Sequence, residues 1–114
     1  MTTVFVASPY AGDIAKNVRY AWACVADSLM RGEAPFAPHL LYTEVLDDAD
    51  PEMRMWGMDA GKEWLKKAQK LVLYVDFGNS PGMLAEESFA RMHGVPVERR
   101  TIPEVVAEMI GVEV

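Results

Sequence analysis

The sequence has little cysteine and no long apolar segment. Its one cysteine, Cys24, excludes an internal disulfide, and its place in a predicted helix indicates a buried thiol in a reducing compartment. No apolar run approaches the roughly 20 residues of a transmembrane helix. No basic segment precedes the first apolar residues, as it does in a signal peptide. We therefore expect a cytoplasmic protein with no membrane partner.

Positive charge is also scarce. The chain has 11 Lys and Arg against 17 Asp and Glu, which gives a formal net charge of -6. Binding to a nucleic acid polymer needs a basic face, so this charge argues against it. A small phosphorylated ligand stays compatible, because a helix end or a loop binds an anion locally. No metal and no cofactor are expected.

What the sequence does contain is a regular alternation of strands and helices. Apolar runs at 4–7, 71–75 and 95–97 predict strands, and 35–42 predicts a short strand broken by prolines. Helical patterns cover 14–32, 50–68, 81–93 and 102–110, and 43–50 is predicted to be an acidic loop. This order predicts one α/β domain over residues 1–114. Its fold would be Rossmann-like or flavodoxin-like, a parallel sheet of four to five strands with helices on both faces.

The stretch from Asp76 to Gly94 is the most informative about function. It consists of an acid at a strand end, a turn rich in Gly, Asn, Ser and Pro, and a helix with Glu86 near its start. The helix dipole is expected to lower the pKa of Glu86 and keep it ionised, as a nucleophile must be. An acid in this position is also ordinary helix design, and the residues alone leave the two interpretations open.

Other polar residues are predicted at the same edge of the sheet. Asn79, Ser80 and Gly82 offer donors before a helix N-terminus, which favours anion binding, although an ordinary turn has the same composition. Asp76 is either a ribose ligand or a loop acid. His39, predicted near the end of the second strand, either contacts a base or phosphate or lies in a surface loop.

The pattern Gly82-Met83-x-x-Glu86-x-x-x-Ala90-x-x-x-Gly94-x-Pro96 resembles the nucleoside 2-deoxyribosyltransferase superfamily. That superfamily includes 2′-deoxynucleoside 5′-phosphate N-hydrolases and small domains common in phages and bacteria. The segment 4–10 resembles the first strand and glycosyl-site loop of these proteins, and Trp64-Leu65-x-x-Ala68 also matches. The resemblance covers roughly residues 3–100.

The resemblance implies a hydrolase of N-glycosidic bonds, or a deoxyribosyltransferase-like enzyme, that acts on a (deoxy)nucleotide or nucleoside through a glutamate nucleophile. That glutamate is Glu86, and Ser80 stands where the phosphate hydrolases contact phosphate. The candidate catalytic residues are Glu86, Asp59 and Tyr10. The candidate substrate-binding residues are Ser8, Pro9, Gly12, His39, Asp76, Asn79, Ser80, Gly82 and Met83.

Three positions depart from the pattern of the superfamily. Val4 replaces the tyrosine that orients the nucleophile, Tyr10 replaces an arginine of the first loop, and Gly61 replaces an aspartate. Tyr10 is the nearest substitute for the tyrosine missing at Val4, and Asp59 is the nearest substitute for the aspartate missing at Gly61. These departures keep open a second hypothesis, a catalytically silent nucleotide sensor or sequestering protein.

The helix predicted at 50–68 carries apolar residues on more than one face, whereas a helix that packs on a sheet needs only one apolar stripe. This excess predicts a second buried surface. A contact in a homo-oligomer is the first interpretation, in keeping with the oligomers common in the superfamily, and a ligand-covering role is the second.

Overall fold

The computed structural model describes residues 1–114 and contains four strands and five helices. The strands are β1 (Thr3–Ala7), β2 (Ala34–Phe36), β3 (Lys70–Tyr74) and β4 (Val97–Arg100). The helices are α1 (Ile14–Met30), α2 (Pro38–Val45), α3 (Pro51–Lys67), α4 (Pro81–Met92) and α5 (Glu104–Ile110). None of the five helices combines the length and apolar character needed to cross a membrane.

The four strands form one parallel sheet in the order β2-β1-β3-β4. The predicted α/β fold is therefore confirmed. The chain moves from β1 to β2 on one side and then returns across β1 to β3, so the direction of winding reverses between β1 and β3. In sheets of this kind, ligands bind beyond the carboxyl ends of the strands at this reversal.

The helices cover both faces of the sheet. Alternate strand residues such as Val4, Val6, Val72 and Tyr74 pack with α1 and α5 in one core cluster. Phe5, Ala7, Leu71 and Leu73 point to the other face, where they pack with Leu65 of α3 and with Met83 and Ala90 of α4. The two central strands, β1 and β3, are almost continuous apolar runs because both of their faces are buried.

Side-chain caps fix where three helices begin. Asp13 accepts the backbone N–H of Lys16 at the start of α1, and Asp50 accepts those of Glu52 and Met53 at the start of α3. Ser80 caps α4 by accepting the N–H of Met83. Each cap satisfies a backbone donor that the helix itself leaves free. The caps of α1 and α4 therefore place these two helix starts directly after a sheet-edge loop.

The prediction for residues 35–42 is wrong. The second strand ends at Phe36, and Pro38 begins helix α2, which continues into the predicted acidic loop as far as Val45. Proline at the first position of a helix loses no hydrogen bond, so the Pro38 that was expected to break a strand instead starts a helix. The last strand also lies later than predicted, at Val97–Arg100.

A proline at the unpaired edge of β2 hinders pairing with a further strand. Ala34 donates its backbone N–H to Thr2 on the β1 side. Successive residues of a strand turn their backbone groups to opposite sides, so Pro35 faces the open edge, where it has no N–H to donate.

A buried polar network lies between α1 and the β3–β4 half of the sheet. Arg100 donates two hydrogen bonds to Glu33, of 2.7 and 2.8 Å, and it also pairs with Glu98. Lys70 contacts both Glu33 and Glu98, at 3.0 Å each. The Arg100 hydrogen bonds hold the pKa of Glu33 at about 2. No fully buried side-chain polar atom in the protein lacks a partner, so this network is satisfied.

Candidate active site

Three segments meet at the carboxyl edge of the sheet. They are the loop after β1 (8–13), the start of α2, and the loop after β3 with the start of α4 (75–83). They contain every predicted site residue except Asp59 and, one helical turn farther along α4, Glu86. The topology thus brings most of the predicted residues to one side of the fold.

The loop after β1 is held in place by a residue that sequence reasoning missed. The buried side chain of Asn17 donates hydrogen bonds of 3.0 Å to the backbone carbonyls of Tyr10 and Ala11. Gly12 turns the chain with a φ of 100°, a conformation that favours glycine. The sequence signal for this role was an asparagine on the apolar face of a predicted helix, one turn after the Asp13 cap. The loop is therefore shaped before any ligand arrives.

Ser8 and His39 form a hydrogen-bonded pair at this edge. The Oγ of buried Ser8 lies 2.9 Å from Nε2 of His39, which is at the second position of α2 rather than in a strand. Burial lowers the pKa of His39 to about 4, so the imidazole is neutral at physiological pH. Nδ1 of His39 has no partner within the chain and is not fully enclosed, so it stays available to a ligand.

Asp76 has a structural role in the loop after β3. Its Oδ2 accepts hydrogen bonds from the hydroxyl of Tyr20, at 2.5 Å, and from the backbone N–H of Ile102, at 3.1 Å. The Tyr20 hydroxyl in turn accepts the N–H of Asp76, and the Tyr20 ring packs on Phe77 at 4.5 Å. Asp76 thus ties its loop to α1 and to the segment before α5. Of the two interpretations left open for Asp76, these contacts favour the loop acid.

The start of α4 presents a mixture of bound and free groups. Ser80 Oγ accepts from Met83, at 3.2 Å, which leaves its own hydrogen free to donate to a ligand. Gly82 and Asn79 are exposed. The side chain of Met83 is instead a core residue, 1% exposed, and its backbone N–H is already used by the cap. The donors available to an anion here are therefore Ser80, Gly82 and Asn79.

Glu86 lies on the inward side of α4, one turn before the buried Ala90. Its carboxyl makes no hydrogen bond within the chain, yet no fully buried polar atom lacks a partner. The carboxyl must therefore lie in a recess that solvent still reaches. Burial raises the pKa of Glu86 to about 8, so our expectation of a lowered pKa is wrong. Removal of water from the charged form outweighs the helix dipole here.

The neighbouring Glu87 behaves differently. It accepts hydrogen bonds from Arg91, at 2.8 Å, and from Arg99, at 2.5 Å. These two guanidinium groups lower the pKa of Glu87. The contrast with Glu86 shows that only one of the two adjacent acids is left without a partner.

Asp59 and Gly61 lie on different sides of α3. Gly61 is buried, as is Leu65 one turn later, and a side chain at Gly61 would approach Pro38 of α2. Asp59 is exposed, and at about 100° per residue it points well away from this packed side. Within one copy of the chain, Asp59 does not join the segments at the sheet edge.

The same arrangement of strands and helices occurs in a solved structure of a 2-deoxyribosyltransferase from the psychrotolerant bacterium Bacillus psychrosaccharolyticus. The two structures share a TM-score of 0.71 at 16% sequence identity, over 94% of this chain and 81% of that one. This likeness establishes a deoxyribosyltransferase-like fold. Residues 2–100 match the model of a domain of unknown function, DUF7768, and the chain belongs to that family. No curated protein matches the sequence.

Proposed function

We propose that the protein binds a 2′-deoxynucleotide or nucleoside at the carboxyl edge of its sheet and cleaves the N-glycosidic bond. The observation that carries this proposal is the Glu86 carboxyl, which is recessed, free of protein partners and still open to solvent. Structural acids of this fold, such as Asp76 and Glu87, are by contrast bonded to neighbours. An acid without a structural partner in a recess is a candidate for chemistry.

The proposed reaction has two steps. In the first step, an oxygen of the ionised Glu86 carboxylate bonds to C1′ of the sugar. The C1′–N bond breaks at the same time, and its electron pair leaves with the base. The base takes a proton from solvent. A water oxygen, or the nitrogen of a second base, then bonds to C1′, releases its proton and restores the Glu86 carboxylate. Ser8 with His39 and the first loop would surround the sugar and base, and Ser80 with Gly82 would face a 5′-phosphate.

A chromatographic assay of base release tests this function. We expect free base from at least one compound in a panel of nucleosides and 5′-monophosphates, ribo and deoxy. Glu86→Gln should abolish the release, whereas the matched change Glu87→Gln should retain it. Mass spectrometry should find a glycosyl adduct on a peptide that contains Glu86. The enzyme hypothesis fails if no compound in the panel yields free base.

One observation favours the second hypothesis, a silent nucleotide-binding protein. With its pKa at about 8, Glu86 is mostly protonated at pH 7, so it is a poor nucleophile in the empty site. Val4 gives no support to Glu86 either, because it faces α1 and α5 on the other side of the sheet from α4. Calorimetric titration with the same panel separates the two hypotheses. A silent protein would bind a nucleotide without releasing base, and its Glu86→Gln variant would bind the nucleotide as tightly as the wild type.

We also propose that α3 forms a contact between two copies of the chain. Met55, Trp56 and Met58 are each at least half exposed on this helix. The segment before α3 is acidic, with Asp47, Asp48 and Asp50. The second half of the helix has a net charge of +1, with Lys62, Lys66 and Lys67 against Asp59 and Glu63. Two antiparallel copies of α3 would bury the apolar middle and place each acidic end against a basic end.

A further inference from the structure

We propose that Lys16 is the cation that recognises the phosphate of the ligand, and so determines the preference for a phosphorylated over a free sugar. This assignment rests on the proposed nucleotide-binding function and adds a residue that the sequence analysis did not single out. It follows from the charges of the whole protein and from the position of one lysine between two loops of the site.

The protein has few positive charges to offer an anion. Its net charge is -6, and two of the acids that contribute to it, Asp13 and Asp76, lie in the loops of the site. A phosphate carries up to two negative charges at neutral pH and needs a cation or several donors to offset them. A positive side chain near the loop after β3 therefore supplies charge that the neutral donors Asn79, Ser80 and Gly82 do not.

Most of the basic side chains are already paired. The ion-paired residues are Arg31, Lys66, Lys70, Arg91, Arg99 and Arg100. The remaining five make no ion pair: Lys16, Arg19, Arg54, Lys62 and Lys67. Lys62 and Lys67 lie in the second half of α3, which leads to the amino end of β3, whereas the site lies at the carboxyl end of that strand. Arg19 and Arg54 lie over no aromatic ring, and of the rings under the three lysines only Phe77, under Lys16, belongs to a loop of the site. Lys16 belongs to the first turn of α1, directly after the loop that follows β1.

Lys16 also reaches the second loop of the site. Its Nζ lies 4.2 Å from the centroid of the Phe77 ring, in the loop that leads to Ser80. The Phe77 ring is fixed from below by Tyr20, which is bonded to Asp76. The ammonium group is thereby held over a rigid ring that lies three residues before Ser80 in the same loop. A cation on an aromatic face keeps its charge available to an anion while the ring limits its movement.

The chain supplies a matched control for this lysine. Lys62 is likewise unpaired and also lies over an aromatic ring, that of Phe89, at 5.8 Å. It belongs to the second half of α3, away from the loops of the site. A change at Lys62 therefore alters the net charge to the same degree and removes a longer cation–π contact, without changing the loops of the site.

Calorimetric titration with 2-deoxyribose 5-phosphate and with 2-deoxyribose tests the assignment. We expect the wild type to prefer the phosphorylated sugar, and Lys16→Gln to weaken its binding by about ten- to a hundredfold while binding of the free sugar stays unchanged. Lys16→Arg should restore most of the affinity, and Lys62→Gln should match the wild type. Because Lys16 is exposed, we expect the variants to melt like the wild type.

Three results overturn the assignment. They are wild-type affinity for the phosphorylated sugar in Lys16→Gln, equal weakening in Lys62→Gln, and a wild type that does not prefer the phosphorylated sugar. The assay measures binding without base release, so it decides the role of Lys16 even where the cleavage assay finds no activity. Conversely, if the protein releases base and Lys16→Gln binds the phosphorylated sugar with wild-type affinity, the assignment of Lys16 is wrong but the proposed glycosidase function still stands.

Discussion

The recessed carboxyl of Glu86 makes the stability of the protein depend on pH in a defined direction. Its pKa is about 8 in the folded protein, against an ordinary value of 4.5 for an exposed glutamate. The folded state therefore keeps a proton that the unfolded state loses, and stability decreases as pH rises between these two values. At about 1.36 kcal/mol per pH unit, the full interval corresponds to roughly 4 to 5 kcal/mol. This stabilisation is complete below pH 4.5 and absent above pH 8.

Comparison with Glu86→Gln isolates this contribution, because glutamine has a similar shape and does not titrate. Urea unfolding followed by circular dichroism between pH 5 and 9 measures both proteins. We expect the stability of the variant relative to the wild type to rise by roughly 4 kcal/mol from pH 5 to pH 8, and to level off above about pH 8. Other titrating groups are common to both proteins and cancel. Parallel curves for the two proteins would show that Glu86 is ionised throughout, and would refute our account of the recess.

Four further experiments test other parts of the structure. In the base-release assay, kcat/KM should rise with pH to a plateau above about pH 8, because the nucleophile must be ionised; a profile that falls over this range would make Glu86 a general acid instead. Ser80→Asp should keep the α4 cap but repel phosphate, so this variant should melt like the wild type and lose affinity for nucleotides. Ser80→Ala removes the cap and should lower the free energy of unfolding in urea by about 1 kcal/mol. Equal nucleotide affinity in Ser80→Asp and the wild type would show that Ser80 does not contact the phosphate. Arg100→Ala should lower the free energy of unfolding by roughly 3 kcal/mol or more, since it leaves Glu33 buried without its main partner, and a loss below 1 kcal/mol would contradict the network. Trp56→Glu should convert a dimer to a monomer in analytical ultracentrifugation while the equally exposed Trp22→Glu does not, and a monomeric wild type would rule out the α3 contact.

The fold was largely predictable because its signals are local. Buried parallel strands appear as uninterrupted apolar runs, and Asp13, Asp50 and Ser80 mark helix starts by their side-chain chemistry alone. The failure at Pro38 has a local cause as well. Proline ends a strand and begins a helix with equal ease, and only the packing of α2 against α3 decides between them.

The position of most candidate residues at the carboxyl edge of the sheet was predictable from the sequence, but their contacts were not. The loops and Glu86 follow from where strands end, whereas the pKa of Glu86 depends on how closely α4 is covered by the rest of the fold. The bond between Tyr20 and Asp76 joins residues 56 positions apart, and no spacing pattern indicates such a partner. The buried network of Glu33, Lys70 and Arg100 was missed for the same reason, because these charges resemble surface charges in the sequence.

The anchoring of the two loops has a consequence for the thermodynamics of ligand binding. Asn17 fixes the backbone of the first loop, and Tyr20 with Ile102 fixes Asp76 in the second, all before a ligand is present. A ligand that enters therefore orders little of the chain and meets only a small loss of conformational entropy. Association at this edge should be fast and accompanied by little loop movement, and hydrogen exchange at residues 8–12 should be nearly the same with and without ligand. Most of the conformational entropy lost on binding would therefore be that of the ligand and not that of the protein.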